Sequence, residues 1–140
     1  MHYNKAVTSA LRYSMGFIFL WAFIDKTFGL GFATKSASAW IAGGSPTYGF
    51  LTFAAKGPLA GFFQSLAGVP LVDWAFMLGL LFVGGTLLAN KFVRWGALAG
   101  SAMLALMYLA LLLPENNPLI DDHIIYILVL AHVALHSDRS

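Results

Sequence analysis

The sequence predicts an all-α integral membrane protein: a bundle of four transmembrane helices with a hydrophobic segment between the first two. Three observations carry that prediction. Hydrophobic residues make up 59% of the 140-residue chain and charged ones only 10%, with a mean hydropathy of +0.77. A soluble domain carries about 25% charged residues, so this chain lacks the charge to cover a water-facing surface. Several uncharged stretches approach the roughly 20 residues that a helix needs to cross about 30 Å of hydrocarbon, and the charges gather at their ends. The length suits a single domain, 1–140. Abundant apolar material excludes disorder. The net charge of +2 comes from scattered residues, with no basic run to follow a phosphate backbone, which excludes nucleic acid as a partner. The absence of cysteine removes thiolate nucleophiles, iron–sulfur ligation and Cys-based zinc sites.

The first helix is expected at about 7–32. It contains Arg12 and the pair Asp25-Lys26, separated by twelve uncharged residues. That is about 18 Å of helix, so at least one end reaches the interface or a protected interior. The stretch exceeds a signal-peptide core, and no small-residue cleavage site precedes a soluble body, so it reads as a retained span. The second helix, about 74–90, is bounded by Asp73 and by Lys91 and Arg94. The third, about 95–113, has nineteen uncharged residues closed by Pro114. The fourth, about 122–136, is short; it spans only if Asp121, Asp122 and His123 occupy its first turn and His136 lies at the opposite surface.

The connection at 33–71 is too long for a simple loop and too hydrophobic for a solvated one. GGSPTYG (Gly43 to Gly49) is turn chemistry. Phe53, Leu59, Phe62, Phe63 and Leu66 then form an apolar helical face interrupted by Gly57-Pro58. Such a segment caps the end of the bundle, either lying on the extracytoplasmic surface or dipping in as a re-entrant piece covered by protein. Trp40, Tyr48 and Trp74 suit the interfacial aromatic belt. With both termini in the cytoplasm, the inner side carries Lys5, Arg12, Lys91, Arg94 and Arg139 against Asp138. The outer side carries Lys26, Lys35 and Lys56 against Asp25, Asp73, Glu115, Asp121 and Asp122. This satisfies the positive-inside rule for a multi-pass protein of the cell membrane.

That topology brings Asp25, Lys26, Asp73, Glu115, Asp121, Asp122 and His123 to one membrane face beneath the cap. One explanation is structural: Asp73 and Asp121 or Asp122 as helix N-caps, Asn116, Asn117 and Pro118 as turn residues, and Lys26 pairing with acids at membrane depth. The other is a polar pocket at the lipid boundary where His123 and a carboxylate handle protons while a ring-shaped ligand packs against phenylalanines. Quinone reduction needs such a place. The remaining histidines are weaker candidates. His132 and His136 share a helix face but lack a third ligand nearby, Asp121-x-His123 is a common spacing, and no histidine lies in the first three spans to hold haem on facing helices. No metal, haem, flavin or iron–sulfur cluster is therefore expected. Gly96-x-x-x-Gly100 allows close helix approach, within the bundle or between copies.

The segments LRYSMGFIFLWAFIDKTFG (Leu11 to Gly29), GGSPTYGFL (Gly43 to Leu51), VDWAFMLGLLFVGG (Val72 to Gly85) and PENNPLIDDHIIY (Pro114 to Tyr126) resemble, in order and spacing, the DoxX family and its DoxD-like branch. The resemblance covers nearly the whole chain. It implies a four-helix membrane subunit of the thiosulfate:quinone oxidoreductase type, which couples two thiosulfates into tetrathionate and passes electrons to quinone with a partner subunit. Other members look like membrane platforms for redox partners or assembly factors. The leading expectation is thus a redox-linked membrane subunit with quinone as acceptor and a partner subunit or homo-oligomer around it. Lys26 would hold an anion or pair with the acids, and His123 with Asp121 would manage protons. Arg12, Trp40, Trp74, Asp25, Asp73, Asn117 and Asp122 complete the substrate- or quinone-binding set. The competing expectation is a non-catalytic membrane scaffold or assembly factor. A small-molecule carrier is disfavoured, because four short helices leave little room for alternating access.

Overall fold

A computed structural model of the chain describes residues 4–112 and 119–137. Among these residues all regular structure is helical: α1 (Lys5–Phe28), α2 (Ala60–Gln64), α3 (Pro70–Ala89), α4 (Val93–Ala110) and α5 (Asp122–His136). Three of them, α1, α3 and α4, are long and apolar enough to cross a membrane.

Local chemistry sets each boundary, and it shifts the bounds of three of the four expected helices. Asn4 caps α1 by accepting from the N–H groups of Ala6 and Val7. The helix stops at Phe28 rather than near 32 because Gly29 turns left-handed, at φ 66°, and donates its N–H to the Asp25 carbonyl. A side chain there would also strike the Ser36 backbone. Helix α3 starts at Pro70, four residues before the expected position. Proline at the first position costs no hydrogen bond and presets φ. Asp73 is therefore not an N-cap; Val69 takes that position without a side-chain bond, and the Asp73 carboxylate is turned to the cap. A three-residue turn, Asn90 to Phe92, with left-handed Asn90 and Phe92, joins α3 to α4. Helix α4 begins at Val93 and ends at Ala110, short of 113, where the Lys56 N–H from the cap takes the Ala110 carbonyl. Helix α5 matches its expected bounds, with Asp121 accepting from the N–H groups of His123 and Ile124.

The long helices alternate in direction. Gly84 of α3 meets Leu20 of α1, Gly100 of α4 meets Val83 of α3 and Leu130 of α5, and Thr8 near the start of α1 meets His132 near the end of α5. The end of α1, the start of α3, the end of α4 and the start of α5 thus share one end of the bundle. Met15, Phe19, Met77, Leu80, Val83, Leu87, Val93, Ala97, Leu104, Leu130 and Val133 form the core. The outer faces are apolar too: Phe17 and Ile18, Leu78 and Phe82, Trp95 and Leu98, Ile125 and Leu128 are all exposed. A surface this apolar on every long helix is the pattern of a protein solvated by lipid.

Residues 29–69 cover the shared end. They comprise 3-10 turns at Ser36–Ser38 and Trp40–Ala42, a π-helical turn at Phe50–Ala54, and α2. The apolar face expected along this segment divides. Phe63 is buried with Leu51, Ala55 and Ala110, whereas Phe53 is 80% exposed and Phe62 points outward.

The GxxxG pair works inside the bundle: Gly96 faces Thr86 and Gly100 faces Val83 and Leu130. Gly84 sits against the main chain of a neighbouring long helix, with a Cβ falling 2.8 Å from the Leu20 nitrogen. Gly84→Ala is expected to cost about 1–3 kcal/mol by forcing α1 and α3 apart, read as a lower unfolding midpoint in detergent. Gly85→Ala, where nothing lies within 4 Å, is the neutral control.

Candidate functional site

The shared end holds an apolar cavity of about 420 Å³. Helix α1 contributes Lys26 from its last turn. Val72, Ala75 and Phe76 line it from α3, and Met103, Leu106 and Met107 from α4, each trio at i, i+3, i+4 on one face. The cap closes it with Pro46, Thr47, Phe50 and Leu51, and with Phe63 and Leu66 from α2 and the turn after it.

Lys26 is the charged residue on this wall. Among the described residues it makes no hydrogen bond or salt bridge. Its Nζ lies 6.0 Å from the centre of the Phe76 ring, and Asp25 attracts it only through space. The Asp25 carboxylate is occupied elsewhere: Oδ2 accepts from Ala33 (2.8 Å) and Thr34 (3.0 Å), and Oδ1 from Phe32 (3.3 Å). At 1% exposure it is a structural clamp that bends the chain after α1 back over the bundle.

Two further acids among the described residues, Asp73 and Asp121, also have partners of their own. Asp73 Oδ1 accepts from Ser45 (2.7 Å) and Thr47 (2.6 Å), anchoring the GGSPT turn to α3. Asp121 receives, besides its two backbone bonds, the His123 ring, with Nδ1 2.9 Å from Oδ2. Burial pushes the Asp121 carboxyl up, but the His123 ring, by hydrogen bond and charge, together with the N–H groups of Ile124 and His123, outweighs it. The carboxyl ends below its ordinary range. Asp122 is exposed. Asp121 and His123 share the bundle end with Lys26 but do not line the cavity. Asn117 and Glu115 lie outside the described residues.

Arg12 sits at the opposite end of the bundle from the cavity. It is 5% exposed, donates to the Leu87 carbonyl near the end of α3, and lies 4.3 Å from the centre of the Tyr13 ring. There it neutralises the negative end of a neighbouring helix. Trp40 and Trp74 pair edge to face at 4.8 Å, tying the cap to α3, and neither lines the cavity. His132 binds the Thr8 hydroxyl at 2.9 Å and stacks on His136 at 4.5 Å, linking α5 to α1. Among the described residues no three acidic or imidazole groups converge as a metal site.

Sequence reasoning missed Phe50, Phe76, Met103 and Met107 as wall residues. Their periodic spacing was visible, but an apolar helical face looks the same whether it meets a core or a cavity. Comparison with protein-family models, curated proteins and solved structures gives no match.

Asp25→Asn replaces one acceptor oxygen with a donor facing backbone N–H groups. It is expected to cost about 2 kcal/mol and to speed protease cleavage within residues 30–35 in detergent. Asp121→Ala removes the α5 cap for about 1 kcal/mol at neutral pH. Because the folded carboxyl titrates below its free value, this contribution is complete above about pH 4 and is lost as pH falls through the lower folded value. The Asp121 side-chain carboxyl resonance should therefore titrate below the ordinary aspartate value of about 4, and a midpoint above it contradicts the assignment.

Proposed function

We propose that this chain is a redox-linked membrane subunit whose cavity beneath the cap takes quinone, with electrons arriving from a sulfur compound such as thiosulfate through a partner subunit. One observation carries the reading: a lysine ammonium without a salt-bridge partner among the described residues, set in a wall that is apolar apart from Thr47, at the end of a membrane bundle. A quinone matches both halves of that wall. Its ring and tail fit against Phe50, Phe63 and Phe76, and its carbonyl oxygen accepts from Lys26 in surroundings where a charge-assisted hydrogen bond is strong. The resemblance of Leu11–Gly29, Gly43–Leu51, Val72–Gly85 and Pro114–Tyr126 to DoxD-like proteins favours the same chemistry. The Asp121–His123 pair supports proton handling at that end, outside the cavity wall. With no cysteine in the chain, sulfur–sulfur bond formation falls to the partner.

In this reading all four long helices cross the cell membrane, α5 included, and both termini are cytoplasmic. The cap lies in the extracytoplasmic interface or dips below it. Tethers from Asp25, Asp73 and Ala110 support this arrangement, because irregular backbone at that depth needs its polar groups satisfied by protein.

The test is binding of a short-chain quinone to the purified protein in lipid nanodiscs, followed by tryptophan fluorescence. Saturable quenching is expected, with Lys26→Met weakening it about tenfold, the worth of one charge-assisted hydrogen bond. His123→Ala should leave binding intact and slow thiosulfate-dependent quinone reduction in the presence of the partner. Wild-type protein that shows no saturable binding overturns the quinone reading in favour of the non-catalytic scaffold. Topology has its own check in a chain free of native thiols. An impermeant thiol reagent should label Ser36→Cys from outside intact cells and Arg94→Cys only after permeabilisation.

A further inference from the structure

Among the described residues that line the cavity, Lys26 and Thr47 are the polar ones, and the second imposes a direction. Thr47 is 6% exposed, and its hydroxyl donates to Asp73 Oδ1 at 2.6 Å. A carboxylate oxygen can only accept, so the Thr47 proton is committed to it. Ser45 donates to the same oxygen at 2.7 Å, and Asp73 is itself 8% exposed, which holds the carboxylate in place. The Thr47 oxygen keeps a lone pair but has no proton to offer. Lys26, in contrast, offers only donors. The wall therefore presents one fixed donor and one fixed acceptor.

We propose that the cavity selects a head group carrying a hydroxyl, which donates to Thr47 Oγ1, alongside an oxygen that accepts from Lys26. Asp73 acts as a positioning residue that fixes the polarity of Thr47. For a quinone couple, the reduced form is then the better ligand, since only the hydroquinone can donate. A second consequence concerns inhibitors: head groups with acceptors alone leave Thr47 unanswered. This inference rests on the quinone reading of the cavity and deepens it.

The experiment compares, without oxygen and in the same nanodiscs, a short-chain hydroquinone with its dimethyl ether, which has the same ring and no O–H. Wild-type protein is expected to bind the hydroquinone about tenfold more tightly. Thr47→Val should abolish that preference while retaining quinone binding through Lys26, which shows that the cavity is intact. Thr47→Ser should restore it. Lys26→Met should weaken both ligands alike. Equal binding of hydroquinone and ether by the wild type, with quinone still bound, overturns the hydroxyl selection and leaves the quinone reading standing. A preference that survives Thr47→Val also overturns it. Failure of quinone, hydroquinone and ether alike to bind removes both proposals.

Discussion

The buried Asp25 carboxylate is the constraint on which the arrangement of this end of the bundle depends. By collecting the N–H groups of Phe32, Ala33 and Thr34, it converts the end of a long apolar helix into a reversal that lies back across its neighbours. Without a side chain able to accept three amides at once, that backbone would have to find water or unravel, and neither suits an apolar setting. Everything that follows in the chain up to Pro70 inherits its position from this turn. The Asp73 bonds and the Trp40–Trp74 pair then fix the far side of the covering segment, and Lys56 ties it to α4.

Much of this was legible in the sequence. The positions of three long apolar helices and the shorter α5 follow from the spacing of charges, and of the two caps that the sequence offers for α5, Asp121 or Asp122, Asp121 takes the position. The misplaced boundaries have local causes. Gly29 ends α1 early because a left-handed turn there also feeds the Asp25 clamp, and the apolar run continuing to Phe32 conceals it. Pro70 starts α3 early because the sequence reading weighted Asp73 as a cap, whereas its partners, Ser45 and Thr47, are 28 and 26 residues away. Long-range hydroxyl–carboxylate pairing of this kind leaves no periodic trace.

The candidate site was legible in its location but not in its membership. Charge placement brought the acids, Lys26 and His123 to one end, which the alternating helices agree with. The sequence could not reveal that three of the acids already have local tasks. Asp25 holds a turn, Asp73 a loop, and Asp121 a helix start, whereas Lys26 alone of the group faces the cavity. Arg12 lies apart from this end. A charge within an apolar stretch reads as functional by default, but here it serves the carbonyl end of α3.

The three-residue turn at Asn90–Phe92 has a mechanical consequence for the opposite end of the molecule. With so little chain between them, and with Gly96 and Gly100 pressed against Thr86 and Val83, α3 and α4 behave as the two tines of one stiff fork. Those tines supply half of the cavity wall, so its width cannot be adjusted by sliding one past the other. Any breathing that admits a bulky guest must come from the covering segment or from α1, whose last turn carries the ammonium. Movement of α1 would carry the ammonium away from the cavity, whereas movement of the cover would leave it in place.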